Sequence, residues 1–167
     1  MLNVLKKTAA VLLIFVSCFG LSQCAMAQRI DFPECLRRME RIYDTYELNF
    51  ENSYFSEGEW FLFTDTLSES DVLITAREEE GGLLMSVGVS IINTGADGQD
   101  EVFISLCEAA VRAFTENADS EKILSDSRIY EEGVLFSDAV QISENGRFRT
   151  SLFNADAGST FVVEIIR

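Results

Sequence analysis

Histidine is absent from the chain altogether, and that gap removes a large part of enzymology. Ser-His and Cys-His pairs need an imidazole as base, and histidine-bound zinc needs it as ligand. Basic residues are scarce as well: 13 Lys and Arg stand against 28 Asp and Glu, a formal charge of −15 over 167 residues. A field of that sign repels nucleic-acid phosphates and anionic membrane surfaces. DNA and RNA binding are therefore set aside; the charge reads first as a solvated acidic surface, with capture of a protein partner with a basic surface as the alternative. Proline occurs once, at Pro33, and no low-complexity linker is present, so nothing divides the chain into separate domains. No phosphate loop, metal cluster or basic patch stands out.

What is present begins at the N-terminus. Lys6 and Lys7 precede an almost wholly apolar run from Ala9 to Leu21, and Ala25-Met26-Ala27 supplies a small-x-small site ahead of Gln28. This is the pattern of a secretory signal peptide spanning 1–27, cut between Ala27 and Gln28. It predicts an exported protein, periplasmic or extracellular, with no stable membrane insertion after cleavage. Two alternatives share the segment. Leu21-Ser22-Gln23-Cys24 resembles a lipobox, which would leave the protein lipid-anchored through Cys24, although Gln23 stands where that motif has a small residue. Thr8 to Gln28 is also uncharged over roughly the 20 residues of a spanning anchor. With cleavage after Ala27, residues 28–167 form a single acidic domain; only two lysines are lost, leaving 11 basic against 28 acidic residues and a formal −17.

Two of the four cysteines, Cys18 and Cys24, lie in the removed segment, leaving Cys35 and Cys107. An even count in an oxidising compartment predicts a disulfide between them; the alternative is two buried thiols acting as small hydrophobes. Neither is a nucleophile in this reading, for want of a base to make thiolate.

Apolar residues at spacings of three and four (Phe32, Cys35, Leu36, Met39, Tyr43, Tyr46) predict a first helix from Asp31 to Leu48, capped by Asp31 with Pro33 in its first turn. A period near two then predicts strands at Glu59–Leu67, Asp71–Glu79 and Leu83–Ile92, the last two joined at Gly81-Gly82. In the third strand Leu83, Met85, Val87, Val89 and Ile91 are expected on a buried face. A second helix is predicted at Gln99–Phe114 and a short one near Ser120–Leu124. Strands follow at Val134–Ile142, Phe148–Asn154 and Thr160–Ile166. The fold class is α+β: a two-layer helix-over-antiparallel-sheet sandwich in the order α-βββ-α-βββ. The runs Glu59–Phe114 and Arg147–Ile166 resemble the small secreted α+β domains related in architecture to the β-lactamase inhibitory protein repeat. That resemblance implies architecture only; no family site residue maps onto this chain.

Function is read mainly by inventory. No catalytic, cofactor-binding or metal-binding residue is assigned. Asn93, Asp97, Asp100 and Glu101 offer oxygen ligands in a glycine-containing loop, but not at EF-hand spacing, and Asp97 or Asp100 has a ready role as a helix cap. Asn117 and Asp119 read as turn and cap residues. Glu78-Glu79-Glu80 reads as a solvated hairpin tip, and Trp60 as sheet core rather than a sugar platform. The expectation is an exported non-catalytic binding or interaction module without a cofactor. The alternative is a small carboxylate-dependent envelope hydrolase, since Asp and Glu alone can run glycoside hydrolysis.

Overall fold

A computed structural model describes residues 30–43, 48, 50–65, 71–115, 120–131, 133–135, 137 and 139–166. The signal-peptide and lipobox residues, including Cys24, Ala27 and Gln28, lie outside the described residues, as do Tyr46, Leu67, Asn117 and Asp119.

Helix α1 (Phe32–Ile42) starts where its residue types demand: the Asp31 carboxylate accepts from the Glu34 amide at 2.9 Å, and Pro33 lies in the first turn. Phe32, Cys35, Leu36 and Met39 are its buried stripe. The helix stops short of the expected Leu48 because Tyr43 takes an extended conformation (φ −133°, ψ 95°) while its amide still bonds Met39 O. Leu48 nevertheless joins the core, its amide held by the Glu40 carboxylate at 2.8 Å.

A single 3₁₀ turn (Phe50–Asn52) leads into β1 (Ser53–Ser56), followed by β2 (Glu59–Asp65), β3 (Asp71–Glu79) and β4 (Leu83–Ile92). Helices α2 (Gln99–Thr115) and α3 (Ser120–Asp126) come next, and then β5 (Ala139–Asn145), β6 (Phe148–Ala155) and β7 (Gly158–Ile165). The class is α+β as read from the sequence, but the order is α-ββββ-α-α-βββ rather than α-βββ-α-βββ. Strand β1 was missed because only Tyr54 and Phe55 stand between two serines, too short a run to show a period. β5 begins at Ala139 rather than Val134 because Glu131, Val134 and Ser137 are linked by successive turn hydrogen bonds.

All seven strands pair antiparallel in one sheet, in the spatial order β1-β2-β3-β4-β7-β6-β5. The β4–β7 seam joins the part built before the helices to the part built after them. One face is a continuous core: Val72, Ile74 and Ala76 of β3 pair with Ile91, Val89 and Val87 of β4, which pair in turn with Ser159, Phe161 and Val163 of β7. Helix α2 packs on β4 and β7 and α3 on β5, while α1 packs on α2. Phe103, Leu106 and Phe161 are fully buried, each contributing about 1.5–3 kcal/mol by burial. The expected alternation in β4 breaks at a bulge. The register shifts between Arg77 and Glu78, so Ser86 faces Arg77 but Leu84 faces Glu78, and Met85 is the extra residue. Leu84 is therefore buried instead of Leu83 and Met85.

The expected Cys35–Cys107 bridge is corrected: both are free thiols, each completely buried. The helices explain it. Arg38 reaches Ala113 O and Tyr43 reaches Glu108, so α1 and α2 run antiparallel. Cys35 then lies level with the Thr115 end of α2, eight residues from Cys107, or roughly 12 Å along the axis. A disulfide needs Cα atoms within about 7 Å. Both residues serve as small apolar packing units, and burial pushes the Cys35 thiol up to about 12 and the Cys107 thiol well above its usual range.

Candidate functional site

Strand alternation that fills the core with one set of side chains sends the other set to the opposite face, which no helix among the described residues covers. Strand pairing arranges that outer face in rows running across the sheet. One row is Phe63, Leu73, Ser90, Thr160, Phe153 and Val140; the next is Phe61, Thr75, Gly88, Val162, Ser151 and Ile142, with Tyr54 stacked on Phe61 at 5.0 Å between ring centroids. Neither row carries a charge, in a chain of which 25% is charged. Eight large hydrophobic side chains are well exposed among the described residues, and six lie on this face: Tyr54, Phe63, Ile92, Val140, Ile142 and Phe153, at 44–63% exposure. Scattered single exposures are ordinary, whereas six of these eight are gathered on one face.

Beyond these rows lies a charged one. Arg77 of β3 pairs with Glu164 of β7 at 3.5 Å, Glu164 with Arg149 of β6 at 3.3 Å, and Arg149 with Glu144 of β5 at 3.0 Å. At the other end of the face is an open apolar groove of about 370 Å³. Phe63 and Leu73 flank one side, Ala155 and Ala157 the other, and Ser90, Ile92 and Thr160 lie between. Thr160 Oγ1 donates to Ser90 Oγ at 3.0 Å, so these hydroxyls are partnered across the β4–β7 seam. The centre of the face is flattened at Gly88, where a Cβ would stand 2.5 Å from Thr75 Oγ1.

The acidic loop before α2 has a structural occupation. Asn93 Oδ1 accepts from the Gly95 amide at 3.1 Å and from Gln99 Nε2 at 2.9 Å, and Asn93 Nδ2 donates to Asp156 O at 2.9 Å. Asn93 thus pins the loop to the β6–β7 turn, and Gln99 secures Thr94. Asp97 and Asp100 point into solvent, the latter with Glu101 in the first turn of α2, where negative charge suits the helix dipole. Among the described residues no three His, Cys, Asp or Glu side chains gather closely enough to hold a metal ion. Glu78 at the hairpin accepts from the Phe32 amide at 3.2 Å, tying the start of α1 to β3. Trp60 packs on the core face against Phe32 and Phe55, away from the outer surface.

One further polar cluster sits on the helical side. The Glu108 carboxylate of α2 accepts from both Tyr43 and Tyr130 hydroxyls, clamping the segments that follow α1 and α3 to the middle of α2. Burial first, then the bond to Glu108, pushes the Tyr130 phenol above its usual range. Arg37 and Arg38 hold Glu34 below the usual carboxylate range, and Arg128 does the same for Glu131. Both are exposed pairs on neighbouring turns, of small energetic weight. A glycosidase acid needs the opposite shift.

The sequence implies one solvent-facing side of the sheet; its apolar, charge-free make-up is the part not read there, yet a signal exists. In β2 the run Trp60-Phe61-Leu62-Phe63 is apolar at both parities, the signature of a strand covered on both sides. Among the described residues, helices pack on only one side. Among the described residues no helix is long and apolar enough to cross a membrane. No protein-family model, curated protein or solved structure matches the chain.

Proposed function

We propose that the protein is an exported, non-catalytic interaction module that binds through the outer face of its sheet, in a helix-over-sheet arrangement whose other face is its own core. The observation that carries this reading is the gathering of exposed Tyr54, Phe63, Phe153, Val140 and Ile142 on two charge-free rows. Burying such a face would remove several aromatic and branched side chains from water, at about 25 cal/mol per Å² of apolar area. Export rests on the leader at 1–27. The absence of histidine supports a binding rather than a hydrolytic role.

The test is site-specific photo-crosslinking in the native compartment. A photoreactive residue in place of Phe63 or Phe153 should give adducts, of any partner mass, while one in place of exposed Glu121 on α3 should not. Adducts only from the helical side, or turnover of a sugar, ester or peptide that one carboxylate substitution abolishes, would contradict the reading.

A further inference from the structure

We infer that the partner of the outer sheet face is a second copy of this chain, packed sheet to sheet about a two-fold axis running along β4. This deepens the reading of the face as a binding surface and rests on it.

Area is the first argument. Seven strands about 4.8 Å apart, four to ten residues long at about 3.3 Å each, present a face of roughly 800 Å². A stable interface needs about 800 Å² per partner. The face alone is therefore near the required size, and each copy would place its own covered core behind it.

Charge is the second argument. Two processed chains of formal −17 repel one another wherever their acidic surfaces meet, so association requires contact through a region without net charge. The two apolar rows supply it. The flanking charged row is self-complementary under one rotation. β4 is the central strand of seven, and a two-fold axis along it lays β3 over β7 and β2 over β6 without shifting position along the strands. Arg77 of one copy then faces Glu164 of the other, and Glu59 faces Arg149. A two-fold across the strands would instead set this row against the opposite end of the sheet and leave it without its complement.

Shape is the third. The same axis places Phe63 opposite Phe153 and passes over Gly88, where the missing side chain and the inclined Thr75 make the face flattest. Packed sheets approach to about 10 Å, and the flat centre admits that approach along the axis.

The experiment uses the full processed chain in two forms. Sedimentation velocity of the wild type should give twice the chain mass at micromolar concentration. Phe153→Lys, a change at an exposed position, should weaken association by about ten-fold or more, as for a central interface residue. Phe63→Cys/Phe153→Cys, treated with a short bis-maleimide, should give a dimer in which position 63 of one copy is joined to 153 of the other. Within one chain these positions are separated by four strand spacings, about 19 Å, so an intrachain link is excluded for a reagent of shorter span. Ser90→Cys, next to the axis, should link to itself. Rising salt should tighten the dimer by screening the like net charges, whereas it would loosen a complex with a basic partner. A monomer at all concentrations overturns the inference, as does a dimer without the 63–153 link, such as edge-to-edge pairing through β5. If face adducts from photo-crosslinking then carry a different protein, the interaction-module reading stands and only the identity of the partner is refuted. Absence of any adduct at the face removes both.

Discussion

Gly158 should be among the least replaceable residues of the sheet, because it sits where β7 meets the end of β4. A Cβ built there stands 2.3 Å from Ile91 O and 3.3 Å from Ile92 Cα, both backbone atoms that no rotamer change can move. In Gly158→Ala the strands must therefore part at the seam between the two portions of the sheet. Overpacking of this kind costs about 1–3 kcal/mol, and a weakened Ile92–Gly158 pairing adds about 1 kcal/mol for one strained hydrogen bond. The reduced freedom of the unfolded chain returns about 0.4–1 kcal/mol, leaving a net loss of roughly 1–3.5 kcal/mol. For a domain of this size that corresponds to a fall in Tm of about 3–12 °C. Gly88→Ala is the internal control: its clash at 2.5 Å is with Thr75 Oγ1, the end of a side chain that can rotate or be removed. It should cost less than Gly158→Ala and be largely rescued by Thr75→Ala, while no side-chain deletion should rescue Gly158→Ala. Thermal and urea unfolding followed by circular dichroism measure both. Equal stability of Gly158→Ala and wild type would refute the packing argument at the seam.

Reductant should leave Tm unchanged, since Cys35 and Cys107 are unbridged; thiol titration should find neither reactive in the native protein and two in the unfolded one, and a Tm that drops on reduction would restore the bridge. Leu106→Ala, at a completely buried position of α2, should cost about 2–5 kcal/mol in urea unfolding, and a loss under 1 kcal/mol would contradict the core assignment. The Tyr130 phenol is pushed above its ordinary value of 10.0, chiefly by burial and then by the bond to Glu108, so its contribution to stability is intact below pH 10 and is lost as pH rises through the raised value. Tyr130→Phe should remove this part of the alkaline dependence, and an unchanged profile would show that the Glu108 clamp does not titrate with folding.

Much of the fold was legible because its causes are local. The ends of β3 and β4 follow from alternation and from Gly81-Gly82, both at positive φ (104° and 75°), and the start of α1 follows from Asp31 and Pro33. The failures were non-local. Met85 drops out of alternation only because β3 and β4 share a bulge, a property of the pair. The Cys35–Cys107 bridge failed on the antiparallel offset of two helices, which no helical period records. The outer face was legible in part, since Trp60 to Phe63 is apolar at both parities, but nothing in the chain order shows on which side the described helices pack.

The most direct test of the open face is hydroxyl-radical footprinting of the processed protein at high and low concentration. Five exposed aromatic residues serve as reporters: Tyr54, Phe63 and Phe153 on the face, and the comparably exposed Phe55 and Tyr130 off it. Concentration should protect the first three and leave Phe55 and Tyr130 as reactive as before. Equal reactivity of all five at every concentration, or protection centred on Phe55 and Tyr130, would contradict association through this face.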